Sequence, residues 1–92
     1  MIDHRLEERV LSHLLRSAAE AEPDHPFILH RDEAYSYADV ERTTNALAHG
    51  LRAFGVVPGS RVALLQDNSP RYIFTLLAVA KLGALNVPIN TA

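Results

Sequence analysis

Arg61-Val62-Ala63-Leu64-Leu65-Gln66, then Asp67-Asn68-Ser69-Pro70, then Ala84-Leu85-Asn86-Val87-Pro88-Ile89 decide the fold. The first run is apolar almost throughout, the pattern of a strand covered on both faces. Ser69 is placed to cap a helix, and Pro70 to occupy its first position, where a missing N–H costs nothing. Ile73, Leu76, Leu77 and Ala80 fall on one face of that helix, and Gly83 ends it. The last run is again strand-like, with Pro88 cutting one ladder bond. Strand, helix and strand inside 61–89 predict a right-handed parallel crossover and an α/β fold class.

Upstream lies the clearest helix. Ser36-Tyr37-Ala38-Asp39 has the capping-box pattern, in which the serine hydroxyl accepts an amide proton and the acid reaches back. Val40, Thr44, Leu47, Leu51 and Phe54 recur at helical spacing and draw one stripe. Gly55 suits a left-handed C-terminal residue, and Pro58-Gly59 makes the turn into the strand that follows. Gly50, inside this helix, costs roughly 1 kcal/mol relative to alanine, and close packing against a neighbour is the expected reason. Further upstream, Phe27-Ile28-Leu29-His30 and Ala34-Tyr35-Ser36 flank the charged trio Arg31-Asp32-Glu33, which predicts a small hairpin without an Asn-Gly turn. Leu6, Val10, Leu11, Leu14, Leu15 and Ala18 predict an opening helix that ends at Glu22 before Pro23. Both Asp3 and Ser12 suit its N-cap.

The chain's 92 residues bound it to one domain at most, since domains commonly run roughly 100–150 residues. With 48% hydrophobic and 22% charged residues it has a globular composition, and a chain this size buries only about 60% of its unfolded surface. The absence of cysteine excludes disulfides, thiolate chemistry and cysteine-ligated metal, and fits the cytosol. A formal charge of -2 gives no footprint for nucleic acid. The charged start, Met1-Ile2-Asp3-His4-Arg5, is no secretory signal, and the apolar run from Tyr72 to Ala80 is far short of the ~20 residues of a membrane span. A cytoplasmic protein is the expectation.

Few residues point to chemistry. His4, His13, His25, His30 and His49 contain no H-x-H and no H-E-x-x-H, so they are expected at the surface or in packing. Gly55-Val56-Val57-Pro58-Gly59-Ser60-Arg61 resembles a phosphate loop in composition only. It runs from helix to strand, Pro58 removes a donor, and no Gly-Lys-Ser/Thr completes it. Asp67-Asn68-Ser69-Pro70 lies where α/β proteins often bind ligands, although Asp67 opposes an anion and helix capping accounts for the segment. Glu7/Glu8, Glu20/Glu22, Asp32/Glu33 and Asp39/Glu41 are expected to be solvated. Lys81, the single lysine, complements a helix C-terminus.

Taken in order, Pro23-Asp24-His25-Pro26, Tyr35-Ser36-Tyr37-Ala38-Asp39-Val40, Leu51-Arg52-Ala53-Phe54-Gly55-Val56-Val57-Pro58-Gly59-Ser60-Arg61-Val62-Ala63, Asp67-Asn68-Ser69-Pro70-Arg71-Tyr72, Leu77-Ala78-Val79-Ala80-Lys81-Leu82-Gly83-Ala84 and Val87-Pro88-Ile89-Asn90 resemble the amino-terminal part of the AMP-binding, adenylate-forming enzymes. That superfamily comprises acyl-CoA synthetases, amino-acid adenylation domains and luciferases. The resemblance covers about residues 8–92, and the ending through Thr91-Ala92 looks more like the acid–CoA ligases of the fatty-acid or carnitine-type branches.

The resemblance implies a βαβ-containing layered fragment of the large amino-terminal domain, with 1–92 as part of that domain and no second domain. It also implies a two-step ligase, in which a carboxylate and Mg-ATP give an acyl-adenylate and coenzyme A then gives the thioester. ATP, Mg2+ and coenzyme A are implied for the full-length enzyme, and strong binding of any of them to this fragment is not expected. The family's phosphate loop, its adenine- and ribose-binding acids and its catalytic lysine lie downstream, so no catalytic, cofactor-binding or metal-binding residue carries over, and Lys81 does not take the lysine's role.

The expected partners are the remainder of the ligase domain and a small carboxylic acid. The fragment itself is expected to be inactive, marginally stable and prone to self-association through open strand edges. The alternative is a freestanding small α/β binding or interaction module without adenylation activity.

Overall fold

The computed structural model describes residues 4–65 and 69–89, with side chains from Ser12 onward. Its elements are α1 (His4–Ala21), β1 (Pro26–His30), β2 (Glu33–Ser36), α2 (Tyr37–Ala53), β3 (Arg61–Leu65), α3 (Pro70–Lys81) and β4 (Leu85–Ile89). β1 and β2 form the antiparallel hairpin, and β3 and β4 form the parallel pair that α3 connects. No helix among the described residues is long and apolar enough to cross a membrane.

The hairpin is tighter than the charged trio suggests. Glu33 belongs to β2 and pairs with His30, which leaves a two-residue turn of Arg31 and Asp32. Such turns need left-handed backbone, and Arg31 adopts it at φ 55° without the asparagine or glycine that usually does so. The register slips between Pro26 and Ile28, which puts a bulge at the open end.

α2 begins as its capping box requires. The Asp39 N–H donates to Ser36 Oγ at 3.1 Å, and the Ser36 N–H donates to the Asp39 carboxylate at 3.2 Å. The loop before β1 supplies two more acceptors: the Tyr37 N–H donates to the His25 carbonyl at 3.0 Å, and the Ala38 N–H to the Pro23 carbonyl at 3.1 Å. The helix thus starts with its orphan donors satisfied, and the Pro23–His25 loop is fastened to it.

The core gathers Leu15 of α1, Ile28 of β1, Val40 of α2, and Phe74 and Leu77 of α3, with Tyr35 and Tyr37 packed against them. Phe74 meets the Tyr35 ring edge-on at 5.1 Å, and Phe27 stacks on Tyr37 at 4.9 Å. Burying each of these large side chains stabilises by roughly 1.5–3 kcal/mol, so a handful of them carries the fold.

Four expectations are corrected by this packing. On α2 the buried residues are Val40, Thr44 and Ala48, spaced by a full four, while Phe54 is 92% exposed as the C-cap. The stripe therefore drifts off the neighbours before the helix ends. On α3 the buried set is Pro70, Phe74, Leu77, Ala78 and Val79, and Ile73 points outward, because the helix is gripped by α1 and α2 as well as by its sheet. Gly50 has nothing within 4 Å of where a Cβ would stand, so close packing does not explain it. β3 is not covered on both faces: exposure alternates along it, with Arg61, Ala63 and Leu65 open to solvent.

Candidate functional site

The parallel pair sets where a ligand would be sought. Ser69 caps α3 by accepting the Tyr72 N–H at 3.3 Å, and Pro70 fills the first turn, so the local signals act as read. Asp67 and Asn68 lie outside the described residues. Beside this helix start runs an open groove of about 740 Å³, bordered by His30, Arg31, Glu33, Tyr35, Arg71 and Phe74 among others. Tyr35 Oη donates to the Glu33 carboxylate, and that bond, with the nearby negative charge, raises the phenol above its ordinary pKa. The tyrosine is therefore a neutral donor already in use and not a base.

The glycine turn admits a direct test for phosphate. A phosphate cradle needs free backbone N–H groups converging on one point. Here the Gly55 N–H donates to the Arg52 carbonyl, Val56 N–H to Leu51, Val57 N–H to Ser60 Oγ, Gly59 N–H to the Gly83 carbonyl and Ser60 N–H to Val57. Pro58 has no N–H. The donors are spent on the C-cap of α2 and on tying this turn to the end of α3, so the segment does not fit a nucleotide phosphate. Gly83 adopts φ +71°, which explains a glycine at that point; a Cβ there would make only ordinary contact with Pro58 Cβ, at 3.5 Å.

The histidines do not converge. His13 is exposed on α1 beside Arg16 and Ser17, His25 bonds the Pro26 carbonyl at 2.8 Å and packs near Tyr37, His30 borders the groove, and His49 is exposed on α2. His4's side chain lies outside those described. Among the described residues no group of three or more His, Asp or Glu is arranged to hold a metal.

One polar cluster was missed by reading the sequence. Lys81 Nζ donates to Glu41 Oε1, to Asn45 Oδ1 at 2.7 Å and, at 3.5 Å, to the Glu41 carbonyl, bridging α3 to α2. The ion pair is largely buried, with side chains 10% and 16% exposed, and Glu41 Oε2 is buried without a partner. Glu41 is thus not a solvated charge, and Lys81 does more than complement a helix end. The only hint in the sequence is that Glu41 and Asn45 sit four apart beside the buried Val40–Thr44 row; which helix faces them is a tertiary fact.

With the elements in place, the comparisons are specific. The AMP-binding enzyme family model matches residues 15–92. A feruloyl-CoA synthase of Amycolatopsis sp is 44% identical over 72 residues, covering 78% of this chain and 15% of that protein. Bacitracin synthase 3 of Bacillus licheniformis is 31% identical over 85 residues, covering 92% of this chain and 1% of that one. A crystal structure from Rhodopseudomonas palustris, described as a long-chain-fatty-acid CoA ligase, superposes with a TM-score of 0.83 at 32% identity, over 87% of this chain and 20% of that one. The chain therefore spans a small part of the length of the relatives it matches. The match over 78 of the 92 residues, in the order of elements the structure shows, makes the chain a member of the AMP-binding, adenylate-forming enzyme family.

Proposed function

We propose that residues 1–92 are part of the amino-terminal domain of an ATP-dependent acid–CoA ligase, contributing scaffold to it and no catalytic, nucleotide-binding or metal-binding side chain. The enzyme would join a carboxylate to the α-phosphate of Mg-ATP with loss of pyrophosphate, and then pass the acyl group to the thiol of coenzyme A with release of AMP. The observation that supports this reading most is how the family-matching segments are used. Pro23–His25 holds the start of α2, Ser36 and Asp39 cap it, the glycine turn is tied to Gly83, and Lys81 clamps α3 to α2. These residues are spent on structure.

The partner of this segment is the remainder of the ligase domain, which would bring the phosphate loop, the adenine site and the acyl pocket. A small carboxylic acid is the substrate class. The similarity to a feruloyl-CoA synthase favours a CoA ligase, and the similarity to a bacitracin synthase keeps an amino-acid adenylation enzyme as the second reading.

The test is carboxylate-dependent exchange of labelled pyrophosphate into ATP. The 92-residue chain should give none, and the protein read on in frame past Ala92 should give exchange with an aryl or fatty acid. Exchange by the 92 residues alone would overturn the scaffold reading. An immediate stop in the coding sequence would favour a freestanding module.

A further inference from the structure

In the parallel register Arg61 lies beside Leu85, Ala63 beside Val87 and Leu65 beside Ile89. Residues paired in this way share a face of the sheet, and Val62, Leu64 and Asn86 share the other. The Val62–Leu64 side is half-buried, while Arg61, Ala63 and Leu65 are open to solvent. Leu65 is 63%, Val87 42% and Ile89 44% exposed. The outer face is thus a row of apolar side chains bearing one charge, Arg61, at its end.

Parallel sheets are found with helices over both faces, because the crossovers that join their strands lay helices there. Every described helix already has its place: α3 on the sheet, α2 against α3 and the hairpin, and α1 against α2 and α3. A cover for the outer face therefore comes from outside the described residues. The relatives carry chain enough to supply it. The matched segment is 15% of the feruloyl-CoA synthase and 20% of the Rhodopseudomonas palustris ligase structure. A helix tethered in the same chain meets the face at an effective concentration on the order of millimolar, which favours it over a second free copy.

We infer that the outer face of β3–β4 is an interface within the domain, covered by an amphipathic helix from the part of the enzyme outside this segment. That helix is apolar opposite Ala63, Leu65, Val87 and Ile89, and polar where Arg61 reaches the rim. The inference rests on the ligase reading, since only a longer chain brings the helix.

The chain contains no cysteine, so one introduced thiol reports the face. Ala63→Cys is placed in the 92-residue chain and in the feruloyl-CoA synthase carrying residues 15–92 in place of its own counterpart. Alkylation by iodoacetamide is followed at that residue by peptide mass, beside ferulate-dependent ATP–pyrophosphate exchange. The thiol should react freely in the 92-residue chain at every protein concentration, and at least ~10-fold more slowly in the chimaera. Val87→Glu should leave the circular dichroism of the 92-residue chain unchanged. In the chimaera it buries a charge without a partner and should lower exchange at least ~10-fold, while Val87→Ile keeps it. An exchanging chimaera whose thiol reacts as fast as in the short chain overturns the inference and leaves the ligase reading standing. A protected thiol without exchange supports the covered face and counts against the ligase reading. A chimaera indifferent to Val87→Glu overturns the inference, and so does a thiol that becomes protected in the 92-residue chain as its concentration rises, which would put a second copy on the face.

Discussion

Lys81 shows how much one side chain can hold in so small a core. Its ammonium is the common partner of Glu41 and Asn45, and it lies where α2 and α3 meet. Replacing it with methionine strands a largely buried carboxylate that already has one unpartnered oxygen. Because the pair keeps some exposure, Lys81→Met should destabilise by about 2–3 kcal/mol in urea melts, below the full cost of breaking a buried pair. Adding Glu41→Leu should recover most of the loss, and a double-mutant cycle measures the coupling.

Asp39 acts at the other end of α2. The Ser36 N–H, then the Ser36 side chain and Arg42, hold its carboxyl below the usual carboxylate range. A depressed folded value means its contribution is present above the unfolded pKa and lost as pH falls through the folded one. Asp39→Asn should therefore flatten the acid limb of a melting-temperature against pH curve. Ser36→Ala should cost about 1 kcal/mol at neutral pH.

At the scale of elements, local signals were legible and orientation was not. Ser36, Asp39, Ser69, Pro70, Gly55 and Gly83 announce helix ends through chemistry confined to one turn, and the structure uses each as read. The hairpin and the parallel crossover followed from strand spacing and chain connectivity. Which face of α2 and α3 is buried did not, because two apolar rows are available on each helix and the choice depends on neighbours. Phe54 and Ile73 fit the spacing yet face solvent, whereas Phe74 and Val79 turn inward. The uncovered face of β3 was hidden too, since an apolar strand reads the same with one cover or two.

Glycines separate the two kinds of signal. Gly50 is an exposed helix residue with open space at its Cβ, so Gly50→Ala should stabilise by about 0.5–1 kcal/mol. Gly83 has positive φ, so Gly83→Ala should destabilise by about 1–2 kcal/mol. Thermal melts of the two variants should move in opposite directions.

For the whole molecule, the order of segments was the readable signal of kinship, and the glycine turn fails as a phosphate cradle because of where its backbone donors go. A glycine turn whose N–H groups are spent on α2 and Gly83 holds two elements together and leaves no donor for ATP. The central claim is that this segment is interchangeable scaffold of an adenylate-forming enzyme. It is tested most directly by exchanging the matched segment of the 44%-identical feruloyl-CoA synthase for its counterpart here and measuring ferulate-dependent ATP–pyrophosphate exchange. The account predicts that the chimaera folds and exchanges within about tenfold of its parent, with its acid preference unchanged. A folded chimaera that has lost exchange, or has changed its preferred acid, would contradict it.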